Sequence, residues 1–77
     1  MKTTVFEKTF LVGRNAMKIK LNSLKGVERI DMRMYYYDQD TDKLLPTKKG
    51  VNFSPDMLPG IIEMLRQFHM LAGNRGD

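Results

Sequence analysis

Ile30-Asp31-Met32-Arg33-Met34-Tyr35-Tyr36-Tyr37-Asp38 is the stretch whose reading decides the fold. Apolar and polar residues alternate along it with the period of a half-buried strand. Ile30, Met32 and Met34 share one face; Asp31, Arg33 and Tyr35 share the other. All three tyrosines of the chain fall here, and the basic Lys48-Lys49-Gly50 follows shortly after.

Upstream of this central strand, Ser23-Leu24-Lys25-Gly26 is a turn signal. Before it, Met17-Lys18-Ile19-Lys20-Leu21-Asn22 alternates strictly, which turns Met17, Ile19 and Leu21 toward a core and Lys18, Lys20 and Asn22 away from it. Gly13-Arg14-Asn15 is a further turn, and Thr3 to Val12, rich in β-branched and aromatic residues, reads as the first strand. Downstream, Asp38 to Lys43 is a polar loop and Pro46 restricts the residue before it to an extended or turn shape. A short fourth strand is expected over Lys49 to Phe53.

Ser54-Pro55-Asp56 is a helix start: serine caps free N–H groups, proline suits the first helical position, and aspartate suits the positive dipole end. The helix is expected to reach about Leu71, with Leu58, Ile61, Ile62, Leu65 and Phe68 at helical spacing and Met57, Met64, Met70 and Leu71 widening the stripe. Pro59 bends this helix or tightens its start. Ala72 to Asp77 reads as a frayed tail. The expected fold class is α+β: an antiparallel four-stranded sheet followed and covered by one helix, in a single domain spanning residues 1–77.

A core of 77 residues is marginal for a monomer, and without cysteine there is no disulfide to compensate. Oligomerisation is the expected device. The net charge of +4 favours an anionic partner. The short apolar runs and the N-terminal Met1 to Lys8 lack the marks of a membrane span or signal peptide, which points to an intracellular, cytoplasmic module, nucleoid-associated if bacterial.

Aromatic rings beside lysine and arginine on a sheet suit unpaired nucleic acid, because rings stack on bases while cations hold phosphates. Lys18, Lys20, Arg33 and the tyrosines lie on strands, with Arg14, Lys25, Lys48 and Lys49 at strand ends, and a curved sheet can gather them into one groove. The same pattern suits tyrosines packed against the helix and lysines that only keep the sheet soluble. Asp38-Gln39-Asp40-Thr41-Asp42 begins like a calcium loop, but Lys43 stands where the sharp turn needs glycine and Lys49 where a glutamate should ligate. His69 is the only histidine, so neither a metal site nor a cofactor is expected. No nucleophile has a base partner, and no glycine-rich phosphate loop occurs, so an enzyme is not expected. The surplus helix residues Met57, Met64 and Leu71 suit burial against a second copy of the helix, or simply a wide core stripe.

Four blocks resemble the positive-cofactor-four family of transcriptional coactivators, which includes bacterial single-stranded-DNA-binding members. They are Phe10 to Arg14, Leu24 to Gly26, Ile30 to Asp38 and Lys48 to Asp56, and the likeness covers about residues 10–72, leaving 73–77 as tail. The resemblance implies a homodimer of curved four-stranded sheets with the helices, through Met57, Ile61, Met64, Leu65, Phe68 and Leu71, at the interface. It implies a groove for single-stranded DNA with Arg14, Arg33, Lys49 and, in the preceding loop, Lys43 as contacts. It assigns the base-stacking position to Tyr36, with Arg33 as its cationic neighbour and Tyr35 and Tyr37 as lesser candidates, beside the Lys18, Lys20, Lys25 and Lys48 contacts that the basic pattern itself supplies. Tyr36 stands where the family usually has tryptophan, Leu24 where it has phenylalanine, and Asn22 where it has arginine. The expected function is single-stranded-DNA binding with little sequence preference and weak duplex binding. RNA binding on the same platform and a transcription-regulatory protein adaptor are the alternatives.

Overall fold

The computed structural model describes residues 1–74. Strands β1 (Lys2–Val12), β2 (Asn15–Leu24), β3 (Val27–Asp38) and β4 (Lys43–Phe53) form one antiparallel sheet in chain order. A 3-10 turn (Pro55–Met57) leads into helix α1 (Leu58–Asn74).

Turn chemistry sets the strand pairing. Gly13 takes φ +62° in the two-residue β1–β2 connection, and Lys25 and Gly26 take φ 53° and 82° in the β2–β3 connection. Positive φ at both central residues is the mark of a type I′ hairpin, whose twist matches the flanking strands. Lysine is a poor choice there, since a side chain in the left-handed region costs about 1–2 kcal/mol. Lys25→Asn, which creates the favoured Asn-Gly pair, should therefore stabilise the fold by roughly 0.5–1 kcal/mol. A higher urea midpoint at unchanged slope would show it. The third connection caps itself: Asp38 Oδ2 accepts from the Thr41 backbone N–H at 3.1 Å and its hydroxyl at 2.7 Å.

β4 begins at Lys43 rather than Lys49, as the sequence suggested. Pro46 does not break it, because β4 is an edge strand and needs no proline donor on its outer side. The β3–β4 register slips between Arg33 and Tyr35: Arg33 pairs with Gly50 and Tyr35 with Pro46, so Thr47, Lys48 and Lys49 bulge opposite Met34. The Thr47 hydroxyl anchors this bulge by donating to the Met34 carbonyl at 2.8 Å and accepting from the Lys49 N–H at 3.1 Å.

The expected helix cap is only partly realised. Ser54 is extended, and its hydroxyl donates to the Asp56 carboxylate instead of capping a backbone N–H. Pro59 tightens the start: it sits in the first turn of α1, where its missing N–H costs no bond. The helix also runs past Leu71 through Ala72 and Gly73 to Asn74, so the expected fray does not begin at Ala72. The rest of the expected tail, residues 75–77, lies outside the described residues.

The largest departure concerns the covering helix. α1 does not lie on the sheet of its own chain, and no residue from Leu58 to Gly73 is buried. The buried apolar residues are Ala16, Ile30, Tyr35 and Phe53, all on strands. The radius of gyration is 14.9 Å, against about 11.5 Å for a compact domain of this length. The single chain is a sheet with a projecting helix.

Candidate nucleic-acid interface

Cross-strand pairs define two unlike faces. On the first, Lys18 stands opposite Arg33, Lys20 opposite Asp31, Asn22 opposite Arg29 and Ala16 opposite Tyr35. Lys2 and Glu7 join it from β1, and Pro46 and Asn52 from β4. On the second face Met17 pairs with Met34, Ile19 with Met32 and Leu21 with Ile30, and Phe53 and Val51 complete an apolar surface. The strand period alone produces this division, because neighbouring side chains point to opposite sides.

The polar face holds a groove of about 470 Å³. Lys2, Lys20, Arg29, Asp31, Arg33 and Tyr35 are among its walls. Tyr35 is 8% exposed, seated across from Ala16, which is small enough to leave space for the ring. The ammonium groups of Lys18 and Lys20 lie 4.9 and 5.5 Å from its ring centre, within cation–π range. The Tyr35 hydroxyl is the main cause of a raised Lys20 pKa, with smaller contributions from Glu7 and Asp31.

Arg33 is held from two sides. Its Nε and Nη2 donate to Asp31 Oδ2 and Oδ1 at 3.2 and 2.9 Å, and its Nη1 donates to the Thr47 carbonyl at 3.0 Å. The guanidinium holds the Asp31 carboxyl below the usual carboxylate range. The stability that this shift adds is present above the ordinary aspartate pKa and is lost as pH falls through the depressed value. Nearby, Arg29 Nε donates to Asn52 Oδ1 at 2.8 Å, and the Thr4 hydroxyl donates to the buried Asn22 at 3.0 Å.

At the rim, the Arg14 guanidinium lies 5.7 Å from the ring centre of Tyr37, whose hydroxyl donates to Asp42. That bond is the first cause of a raised Tyr37 pKa. Lys25 occupies the turn at the other end of the groove, beside Leu24.

The sheet therefore brings Lys18, Lys20, Arg33 and Tyr35 together but does not gather every residue named from the sequence. Tyr36 is not a neighbour of Arg33: it pairs with Leu45 and faces the apolar side with Met34. Lys43, opposite Asp38, shares that side. Lys48 and Lys49 belong to the bulge, and Lys49 lines an apolar-side hollow with Met17, Met32 and Met34. Strand alternation is the physical reason, since it cannot place Arg33 and Tyr36 on one face.

Lys2 and Arg29 were missed as groove residues. Arg29 was legible, being in step with Asp31, Arg33 and Tyr35. Lys2 was not, because the β1–β2 register shifts between Thr4 and Phe6. On the helix, Met57, Met64, Leu65, Phe68 and Leu71 are all more than half exposed, and Ile61 is half-buried.

Among the described residues no cluster of histidine, cysteine, aspartate or glutamate could hold a metal ion, and no helix is long and apolar enough to cross a membrane. No solved structure is significantly similar to the chain. A Caenorhabditis elegans protein named "Putative RNA polymerase II transcriptional coactivator" is 38% identical over 34 residues. That stretch is 44% of this chain and 27% of the relative, so the chain matches only about a quarter of the other protein's length. The family model described as Transcriptional Coactivator p15 (PC4) matches residues 14–64, from the first turn through all of β2, β3 and β4 into α1. That span is more than half of the chain, and the chain belongs to this coactivator family.

Proposed function

We propose that the protein is a homodimeric single-stranded-DNA-binding module with little sequence preference, and that the polar face of its sheet is the binding surface. The observation that carries this reading is the Tyr35 ring flanked by Lys18 and Lys20 in a groove that also holds Arg33. Lysine stems are long and mobile. When their ammonium groups swing to phosphates, they uncover a ring on which a base can stack. Stacking ignores base identity, so the surface tolerates any sequence.

The dimer is part of the same proposal. The chain exposes 6415 Å², whereas a compact monomer of 9.0 kDa exposes roughly 4,900 Å². The excess, on the order of 1,500 Å², matches what one protomer buries in an obligate dimer. The apolar sheet face and the helix stripe supply that surface.

Anisotropy of labelled oligo-dT across a salt series tests the function. Binding should weaken steeply with salt, and Lys18→Ala and Lys20→Ala should each lower the log–log slope by about 0.7. Tyr35→Leu, which keeps an apolar side chain but not the aromatic face, should cost about 1–3 kcal/mol of affinity. Tyr36→Ala should cost less. No anisotropy change at low salt would sink the function, and a larger loss from Tyr36→Ala would move stacking off the polar face. Competition with a matched RNA oligomer separates the two strands, because a ring does not sense the sugar.

A further inference from the structure

Resting on the single-strand reading, we infer that Asp31 is a positioning residue for Arg33, which makes Arg33 a fixed two-pronged donor to a phosphodiester rather than a free cation. Lys18 and Lys20 lie over the Tyr35 ring, and Lys18 meets a carboxylate, that of Glu7, only at 4.0 Å. Arg33 differs from both. Its bonds to Asp31 and Thr47 use the Nε–H and one N–H on each terminal nitrogen. One N–H on each terminal nitrogen is left. These two donors remain for the paired oxygens of a phosphate. Gly50 sits directly across from Arg33 and offers no side chain to obstruct it.

Asp31 has a second effect. Its carboxylate contacts the guanidinium at 2.9 Å and cancels most of its field beyond the groove. A phosphate that docks on Arg33 therefore displaces fewer counterions than one that docks on Lys18 or Lys20. Arg33 supplies geometry and the lysines supply salt-dependent attraction. The groove then holds one backbone phosphate in a set orientation beside the Tyr35 ring.

The test compares salt slopes for oligo-dT binding in the full chain. Arg33→Ala combined with Asp31→Asn, which removes the cation and its counter-charge together, should lower affinity at least fivefold while the slope changes by less than about 0.3. Lys20→Ala should lower the slope by about 0.7. Asp31→Asn should steepen the slope by about 0.7, because it releases one cation. A slope that falls in the double variant as far as in Lys20→Ala overturns the role given to Asp31 while leaving the single-strand reading intact. Absence of binding by the unaltered protein overturns both. NMR of the free protein tests the positioning separately. The Arg33 Nε–H should exchange slowly, and at least fivefold faster in Asp31→Asn; equal rates would refute the clamp without reference to DNA.

Discussion

Replacing Gly50 by alanine should cost this protein about 3 kcal/mol or more of stability, the upper part of what overpacking produces. A Cβ built at Gly50 falls 2.5 Å from the Met32 carbonyl oxygen and 3.0 Å from both Cα and Cβ of Arg33. Two of these three atoms belong to backbone, so no rotamer change relieves the contact. Relief requires β4 to move away from β3, and the adjacent Thr47–Lys49 bulge is pinned by the Thr47 bonds to Met34 and Arg33. Small domains have only about 5–15 kcal/mol to lose. Circular dichroism through a urea titration measures the loss. Gly60→Ala is the control, because a Cβ there meets nothing within 4 Å and alanine favours a helix. If Gly50→Ala moves the midpoint no more than Gly60→Ala does, the close approach has been misread.

The second large effect concerns association. Phe68 is 65% exposed in the single chain, so on a monomer Phe68→Glu should change stability by less than about 0.5 kcal/mol. In the proposed dimer the same ring is buried by the second copy. Its loss alone should cost about 3–5 kcal/mol, and an unpaired carboxylate in the interface adds to that. Sedimentation should therefore show the unaltered chain as a dimer and Phe68→Glu as a monomer or an unfolded chain. A Phe68→Glu variant that sediments and melts like the original would remove the helix from the interface. Leu65→Lys repeats the test one turn away, on a residue 54% exposed.

Reading residues in sequence order captured the strands because their signals are local. Met17 to Asn22 and Ile30 to Met34 alternate without interruption, and the first two turns carry the glycines that positive φ demands. The early start of β4 was hidden. Pro46 looks like a break in sequence and is harmless only because β4 is an edge. The bulge opposite Met34 was hidden too, since it depends on how two strands slip past each other rather than on either one. The groove was half legible: alternation puts Asp31, Arg33 and Tyr35 on one face, and the same rule excludes Tyr36 from it. Family likeness pointed to Tyr36 and left Tyr35 a lesser candidate, although the strand period sets Tyr35 and not Tyr36 in step with Arg33. The register with β2, which sets Tyr35 against Ala16 under two lysines, favours Tyr35 on the groove side.

The helix shows the limit most clearly. Its apolar spacing reports that one stripe must be covered, but spacing carries no information on what covers it. In the chain's own structure the sheet does not. The sequence by itself thus determined the number of strands, their alternation, the turns and the existence of an amphipathic helix, since each follows from contacts within a few residues. Only the tertiary structure decided the β3–β4 slip, the clamp of Asp31 and Thr47 on Arg33, the partition of the tyrosines between faces and the projection of α1. Those depend on atoms brought together from distant positions, where sub-ångström clearances such as those at Gly50 choose one arrangement over another.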